Sequence, residues 1–191
     1  MAIQKQSFTV AAANLTGHAS NVTGASWAIT TTSAGDGMSH FVTIRNDSAT
    51  DHSGKTITLS GTCANGLAVT EDLAGPAGSA TVTSTRSYES LTAIATSATI
   101  GTDTFDIGWT AAARSPWYYV RNLAAVAVSV GGTINFDIQH KYDEAVTNAI
   151  AFTAEAAKTV DTEHVYTTPI RAARVDVNSH TAGTFTVYVV D

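Results

Sequence analysis

Short runs that alternate between apolar and polar residues recur from one end of this chain to the other, and many of them stop at Gly, Asn, Asp or Ser. Gln6–Val10, Trp27–Thr30, His40–Arg45, Lys55–Gly61, Leu67–Leu73, Thr81–Ser84, Leu91–Ile94 and Thr104–Trp109 are such runs in the first part of the chain. Trp117–Leu123, Ala125–Val130, Thr133–Tyr142, Ile170–Val177 and Thr184–Val190 follow in the second. A period of two sends every other side chain to the same face, which suits a half-buried strand and no helix. Asn65-Gly66 lies between two of these runs and predicts a hairpin with a type I′ turn. Gly131-Gly132 reads as a further turn between strands, and the stretch from Ala145 to Thr159 as a strand followed by a loop or one helical turn. Strands this short and this closely spaced predict an all-β chain of antiparallel sandwich type.

A loose internal repeat divides the chain. Ser87-Tyr88-Glu89-Ser90-Leu91-Thr92-Ala93-Ile94 leads to Gly101-Thr102-Asp103-Thr104-Phe105. Tyr166-Thr167-Thr168-Pro169-Ile170-Arg171-Ala172-Ala173 leads to Ala182-Gly183-Thr184-Phe185. Each block reads as an aromatic, a small-apolar strand, a Gly turn and a second strand. Two blocks are too few for a solenoid. They predict two tandem β-sandwich modules, jelly-roll or immunoglobulin-like, over 1–112 and 113–191, with the boundary where the pattern pauses at Thr110–Pro116.

Charge narrows the function classes. Charged residues make up 14% of the chain against about 25% in ordinary domains, and the formal net charge is −6. No basic run occurs, so nucleic acid is not expected as a ligand. No apolar run approaches the ~18 residues that cross a bilayer, and the start shows no charged region leading into a hydrophobic one. No membrane association is expected, and the chain is expected to stay in the cytoplasm until it joins a larger assembly. A lone cysteine, Cys63, offers neither a disulfide nor a multi-cysteine zinc site.

Candidate chemistry is sparse. His18, His40, His52, His140, His164 and His180 are scattered without an HExxH spacing and read as surface residues. Asn46, Asp47, Asp51 and Gly54 share a polar loop that only faintly matches a calcium loop and reads as solvated. GxSxG, GxGxxG and P-loop patterns are missing. No catalytic residue, cofactor or metal is expected. Trp117, Tyr118 and Tyr119, flanked by Arg114 and Arg121, form the one cluster with interface chemistry, since aromatics and Arg concentrate at interface centres. Core packing and a sugar-stacking site remain open for the same residues.

Several stretches resemble virion structural proteins of tailed bacteriophages. These are Ile57–Thr62, Asn65-Gly66, Val69–Pro76, Ala80–Ile94, and the closing Pro169–Val175 with Ala182–Val187. The resemblance covers about half the chain and carries no catalytic residues. It implies a β-sandwich repeated on a particle surface: a capsid decoration (cement) protein bound to the major capsid protein, a homo-oligomer with trimers possible, located in the virion. A tail, neck or fibre component and a carbohydrate-binding module are the alternatives. The expected contact surface is Phe8 and Val10 with Arg114, Trp117, Tyr118, Tyr119 and Arg121. On that view, removal of the first ten residues abolishes capsid binding and leaves the fold intact.

Overall fold

The computed structural model describes residues 3–121, 125–142 and 151–190. Among them the chain is all-β and its strand pairs are antiparallel, as alternation predicts. Contacts divide it into two compact units. The central unit comprises Ala13–Gly35 and Ser39–Thr110, and the terminal unit comprises Met1–Ala12, Asp36–Met38 and Ala111–Asp191. The sequence division at 112/113 differs from this mainly at the N-terminus. Strand β1 (Ile3–Thr9) pairs with β13 (Ala172–Val190) over seven consecutive residues, from Ile3↔Val190 to Thr9↔Thr184. Nothing in a linear pattern announces a pairing across that separation.

In the central unit, β2 (Asn14–Val22), β8 (Phe105–Arg114, through Thr110), β3 (Ser39–Asn46) and β6 (Thr81–Tyr88) form one layer. A second layer is β5 (Ala68–Ala74), β4 (Thr56–Thr62) and β7 (Ser90–Thr96). Val42, Ile44 and Ile107 from the first and Ile57, Leu59, Leu91 and Ile94 from the second meet in one buried cluster with Trp27 and Phe105. This is a two-layer sandwich. Alternation holds on the clearest strand, where Ile57 and Leu59 are buried and Thr56 is exposed.

Two local expectations need correction here. The Asn65-Gly66 hairpin exists, but only Gly66 has positive φ, at 75°. Gly66 N–H donates to Cys63 O at 2.8 Å and Cys63 N–H to Leu67 O at 2.9 Å. This is a three-residue loop closed by a left-handed glycine, and a type I′ turn would need Asn65 left-handed too. Trp27–Thr30 is not a strand: Trp27 is buried, yet the segment bonds to His18 instead of a ladder. Conversely β2, which lacks an apolar alternation, does pair with β8, through an irregular register of Asn14↔Trp109, Ala19↔Ile107 and Val22↔Phe105.

The terminal unit is organised by β10 (Ala125–Lys141) and β13, which pair from Ala125↔Val190 to Lys141↔Ala172. β1 joins the C-terminal half of β13, while β9 (Tyr118–Tyr119) and the end of β8 join its N-terminal half. β11 (Phe152–Lys158) and β12 (Thr162–Val165) line the other edge of β10. The expected Gly131-Gly132 turn is therefore strand interior, and so is Gly183, which pairs with Gly132. The helix formers of Ala154–Lys158 lie in a strand, and Ala145–Ile150 falls outside the described residues. The two repeat blocks are not equivalent: the first breaks into β7, a turn at Gly101 and β8, while the second runs on as β13.

Glycine at 132 and 183 has a steric reason. Their φ angles are 138° and 143°, and a Cβ on Gly183 would lie 2.6 Å from Gly131 O. Register slips once between Thr133 and Ile134 and again between Asn135 and Phe136. One bulge would send the following side chains to the opposite face, whereas two restore it. Thus Val126, Val128, Ile134, Phe136 and Ile138 all reach one core with Val175, Val177, Phe185 and Val187.

Gly183→Val is expected to destabilise the terminal unit by about 2–4 kcal/mol, through backbone strain and the clash with Gly131. Gly54→Ala, which meets nothing within 4 Å, should change stability by less than about 0.5 kcal/mol. Urea titration of both variants checks the contrast. Deletion of residues 2–10 removes β1 and the Phe8 ring stacked on Phe185 at 5.1 Å. It should lower the thermal midpoint of the terminal unit, contrary to the intact fold expected from sequence.

Candidate functional site

The sequence-selected residues divide by burial. Phe8, Val10, Trp117 and Tyr118 are buried within the chain, so their side chains are covered before any partner arrives. Phe8 and Val10 belong to the core of the terminal unit, and Tyr118 lies among the same residues. The Tyr118 hydroxyl donates to Gln6 Oε1 at 3.0 Å, and burial raises its pKa above the usual tyrosine value. Tyr119 is 40% exposed, and Arg121 is exposed.

Trp117 and Tyr119 nevertheless form part of an ordered array. Lys141 Nζ stands 5.0 Å from the Trp117 ring centroid and 4.9 Å from that of Tyr119. It also donates to the Tyr119 hydroxyl at 3.3 Å, and the lysine is fully buried. Arg174 stacks on Trp117 at 4.3 Å and donates twice to Gln139 Oε1, at 2.9 and 2.7 Å. Gln139 Nε2 donates in turn to Asp176 Oδ2 at 2.9 Å, the oxygen that also receives Arg114 Nε at 3.2 Å. The register explains this row: Gln139 lies opposite Arg174 and Lys141 opposite Ala172, whose other neighbour is Tyr119. Trp117 is thus buried with a lysine and an arginine against its ring, and its role in this array is packing.

A second aromatic group lies along the β11–β12 side of β10. His140 contacts Tyr142 at 5.1 Å, Phe152 at 5.7 Å and Tyr166 at 5.2 Å between centroids. His164 packs edge-on to Tyr166 at 4.5 Å and bonds Glu155 at 3.0 Å, and Glu155 also pairs with Lys158 at 2.9 Å. Those two bonds, Lys158 first, hold the Glu155 carboxyl below its usual range. Burial, with His164 adding repulsion, lowers the pKa of His140. Tyr142 and Phe152 are about half exposed, and Val160 and Val165 of the same edge are more exposed still. A shallow groove of about 220 Å³ runs beside β12, floored by Ala127 and Ser129 and bordered by Asp161, Glu163 and Tyr188.

The remaining histidines overturn the surface reading. His18, His40 and His52 are buried, and none of the six is fully exposed. His18, His40 and His180 each bond a backbone carbonyl through Nδ1: Thr31 O at 2.6 Å, Thr110 O at 2.9 Å and Ala111 O at 3.2 Å. His52 is fixed on both nitrogens, by Asp103 at 2.9 Å and by Lys55 at 2.9 Å, and its ring meets Phe105 edge-on. With both nitrogens engaged, it holds the 46–54 loop in place. That loop spends its polar groups internally. Asn46 accepts from Ser48 N–H and donates to Thr50 O and Ala77 O, Asp51 accepts from Ser53 N–H, and Asp47 pairs with Arg45. Among the described residues no group of three or more His, Cys, Asp or Glu could hold a metal ion. Cys63 follows β4 and packs against the central core. No helix among the described residues is long and apolar enough to cross a membrane.

Comparison with protein-family models, with curated proteins and with solved structures finds no match to this chain.

Trp117→Ala should cost the terminal unit about 3–5 kcal/mol, the range for emptying a buried aromatic site. Tyr119→Ala, at a half-exposed position, should cost about 1 kcal/mol. Urea unfolding followed by circular dichroism compares the two. Equal effects would place both rings in the same environment and contradict the burial contrast.

Proposed function

We propose that this chain is a non-enzymatic structural protein of a tailed-phage virion, a capsid decoration protein that sits on the major capsid lattice. The observation that carries the reading is the β11–β12 edge of the terminal unit, where Tyr142, Phe152, Val160 and Val165 leave apolar surface uncovered. Edge strands normally carry charges or Pro that discourage addition of another chain, and exposed apolar residues there favour it. The low charge of the chain and its resemblance to phage virion proteins support the same direction.

The contact surface in this proposal is therefore not the Phe8–Val10 and Trp117–Tyr118 set. It is the exposed edge, with Tyr119 and Arg121 as the members of the earlier set that can still meet a partner. A partner of this kind needs no steering charge, because apolar burial drives the association and multiple identical contacts on a lattice multiply its strength. Self-association into a closed oligomer would use the same principle.

The test is stoichiometry. Quantified by mass spectrometry in the purified particle, the chain should stand near one copy per major capsid protein, or at a simple fraction of that. A few copies per particle would reassign it to the tail or neck, and absence would end the virion reading. Val165→Lys should in addition reduce particle association at least tenfold while leaving the thermal midpoint within about 2 °C, because the side chain is exposed and a lysine obstructs edge addition.

A further inference from the structure

The central unit holds a segment tied at one end to a buried titratable residue. We propose that His18 is an acid-released latch for the strap formed by residues 23–35. The strap has little ladder of its own: a single bridge, Ser26↔Ala95, and the exchange of Gly24 with Gly101 and Ile100 at its start. It nonetheless delivers Trp27 into the core, edge-on to Phe105 at 5.3 Å, with Ile29 packed beside it.

The far end of the strap is tied to residue 18. Thr30 N–H and Thr31 N–H donate to His18 O at 2.8 and 3.2 Å, and the Thr30 hydroxyl donates to the same oxygen at 2.8 Å. The His18 ring returns the contact through Nδ1, bonded to Thr31 O at 2.6 Å. Leu91 N–H donates to Thr32 O at 2.7 Å and Ser33 Oγ to Glu89 Oε1 at 3.3 Å, so the end of the strap is also tied to β7 and to the residue before it. The ring itself is buried edge-on to Trp109 at 4.9 Å. Gly17 makes that approach possible, since a Cβ there would lie 2.2 Å from Trp109 Cζ3.

A carbonyl accepts, so Nδ1 carries the proton in the neutral ring, and a second proton must arrive at Nε2. That step does not break the bond to Thr31. It makes the buried position of the ring unfavourable, because a charged imidazolium is separated from water beside Trp109 and beside a second buried histidine, His40. Burial first, then repulsion from His40, opposes the charged form more than the Thr31 carbonyl favours it, and the pKa is lowered from 6.5. The carboxylates on neighbouring elements are committed elsewhere. Asp106 of β8 binds Arg45 of β3 and Asn21 N–H, and Glu89 accepts from Ser33 Oγ at 3.3 Å. His18 is also the sole ionisable residue between Lys5 and Asp36, so within the strap and β2 themselves it is the one group that titrates, beside the Glu89 and Asp106 carboxylates that accept from Ser33 and Asn21.

The sign follows from the direction of the shift. A lowered folded pKa means that the closed state is at full strength above pH 6.5 and weakens as pH falls from there. Between 6.5 and the folded pKa, the open-to-closed ratio rises by up to tenfold per pH unit. Opening withdraws Trp27 and Ile29 and uncovers part of the central core.

Nuclear magnetic resonance on the full chain tests the latch. The His18 ring is titrated from pH 7.5 to 5, and amide exchange protection of Thr30, Thr31 and Leu91 is followed over the same range, corrected for intrinsic rates. Protection of these three amides should fall progressively as pH drops below 6.5, by up to tenfold per unit, while the β4–β5 ladder keeps its own. In His18→Gln, which cannot take up a proton, protection should not change with pH. The proposal is overturned if protection persists after the ring has titrated, if the ladder is lost in the same step, or if the variant shows the wild-type loss. Should the variant not fold, the wild-type comparison between strap and ladder still decides.

Discussion

The antiparallel pairing of β10 with β13 is the constraint on which the terminal unit rests. Every other strand of that unit adds to one of these two, and without them β1, β9, β11 and β12 have no backbone partner. Strands of 17 and 19 residues are far longer than the usual five or six, and a straight ribbon of that length could not enclose a core. The Gly131–Gly132 approach to Gly183 and the two bulges beside it solve the problem locally. Glycine supplies a backbone conformation closed to other residues, and the paired bulges keep the same face inward on either side.

A chain so poor in charge must satisfy its buried polar groups by other means, and here the backbone and the amides do much of that work. Three histidines bond carbonyls through Nδ1, Asn46 closes its loop through three backbone groups, and Gln139 relays between Arg174 and Asp176. Where cations are buried they lie on aromatic faces, as Lys141 does between Trp117 and Tyr119. Such groups are expensive to strand, so the networks specify register as well as contributing stability. His52 shows the same pattern, with both imidazole nitrogens engaged by Asp103 and Lys55.

On the β11–β12 edge, exposed Phe152, Val160 and Val165 stand among Glu155, Lys158, Asp161 and Glu163, an apolar surface interrupted by charges. That combination supports assembly with other chains as the proposed role, since apolar edges are tolerated when a neighbour is to cover them. The central unit adds a different feature in the strap at 23–35, a segment with little strand pairing that is tied to residue 18 through both its backbone carbonyl and its ring.

Period-two alternation was legible without coordinates, and with it the all-β class, most strands and the inward residues such as Ile57, Leu59, Val126 and Phe136. A strand's two faces are written in its own residues, so local reading suffices for them. The Asn65-Gly66 hairpin was legible in position but not in turn type, because φ at Asn65 depends on the ladder it closes. What only the tertiary structure decided is long-range. It placed β1 on β13, turned Gly131-Gly132 from an apparent turn into strand interior, and buried Phe8, Trp117 and Tyr118 instead of presenting them. The same holds for His18, His40 and the half-buried His180, whose carbonyl partners lie 13 to 70 residues away in sequence. Whether an aromatic or an imidazole is core or surface depends on which distant strand covers it, and pairing between strands leaves no mark in the residues between them.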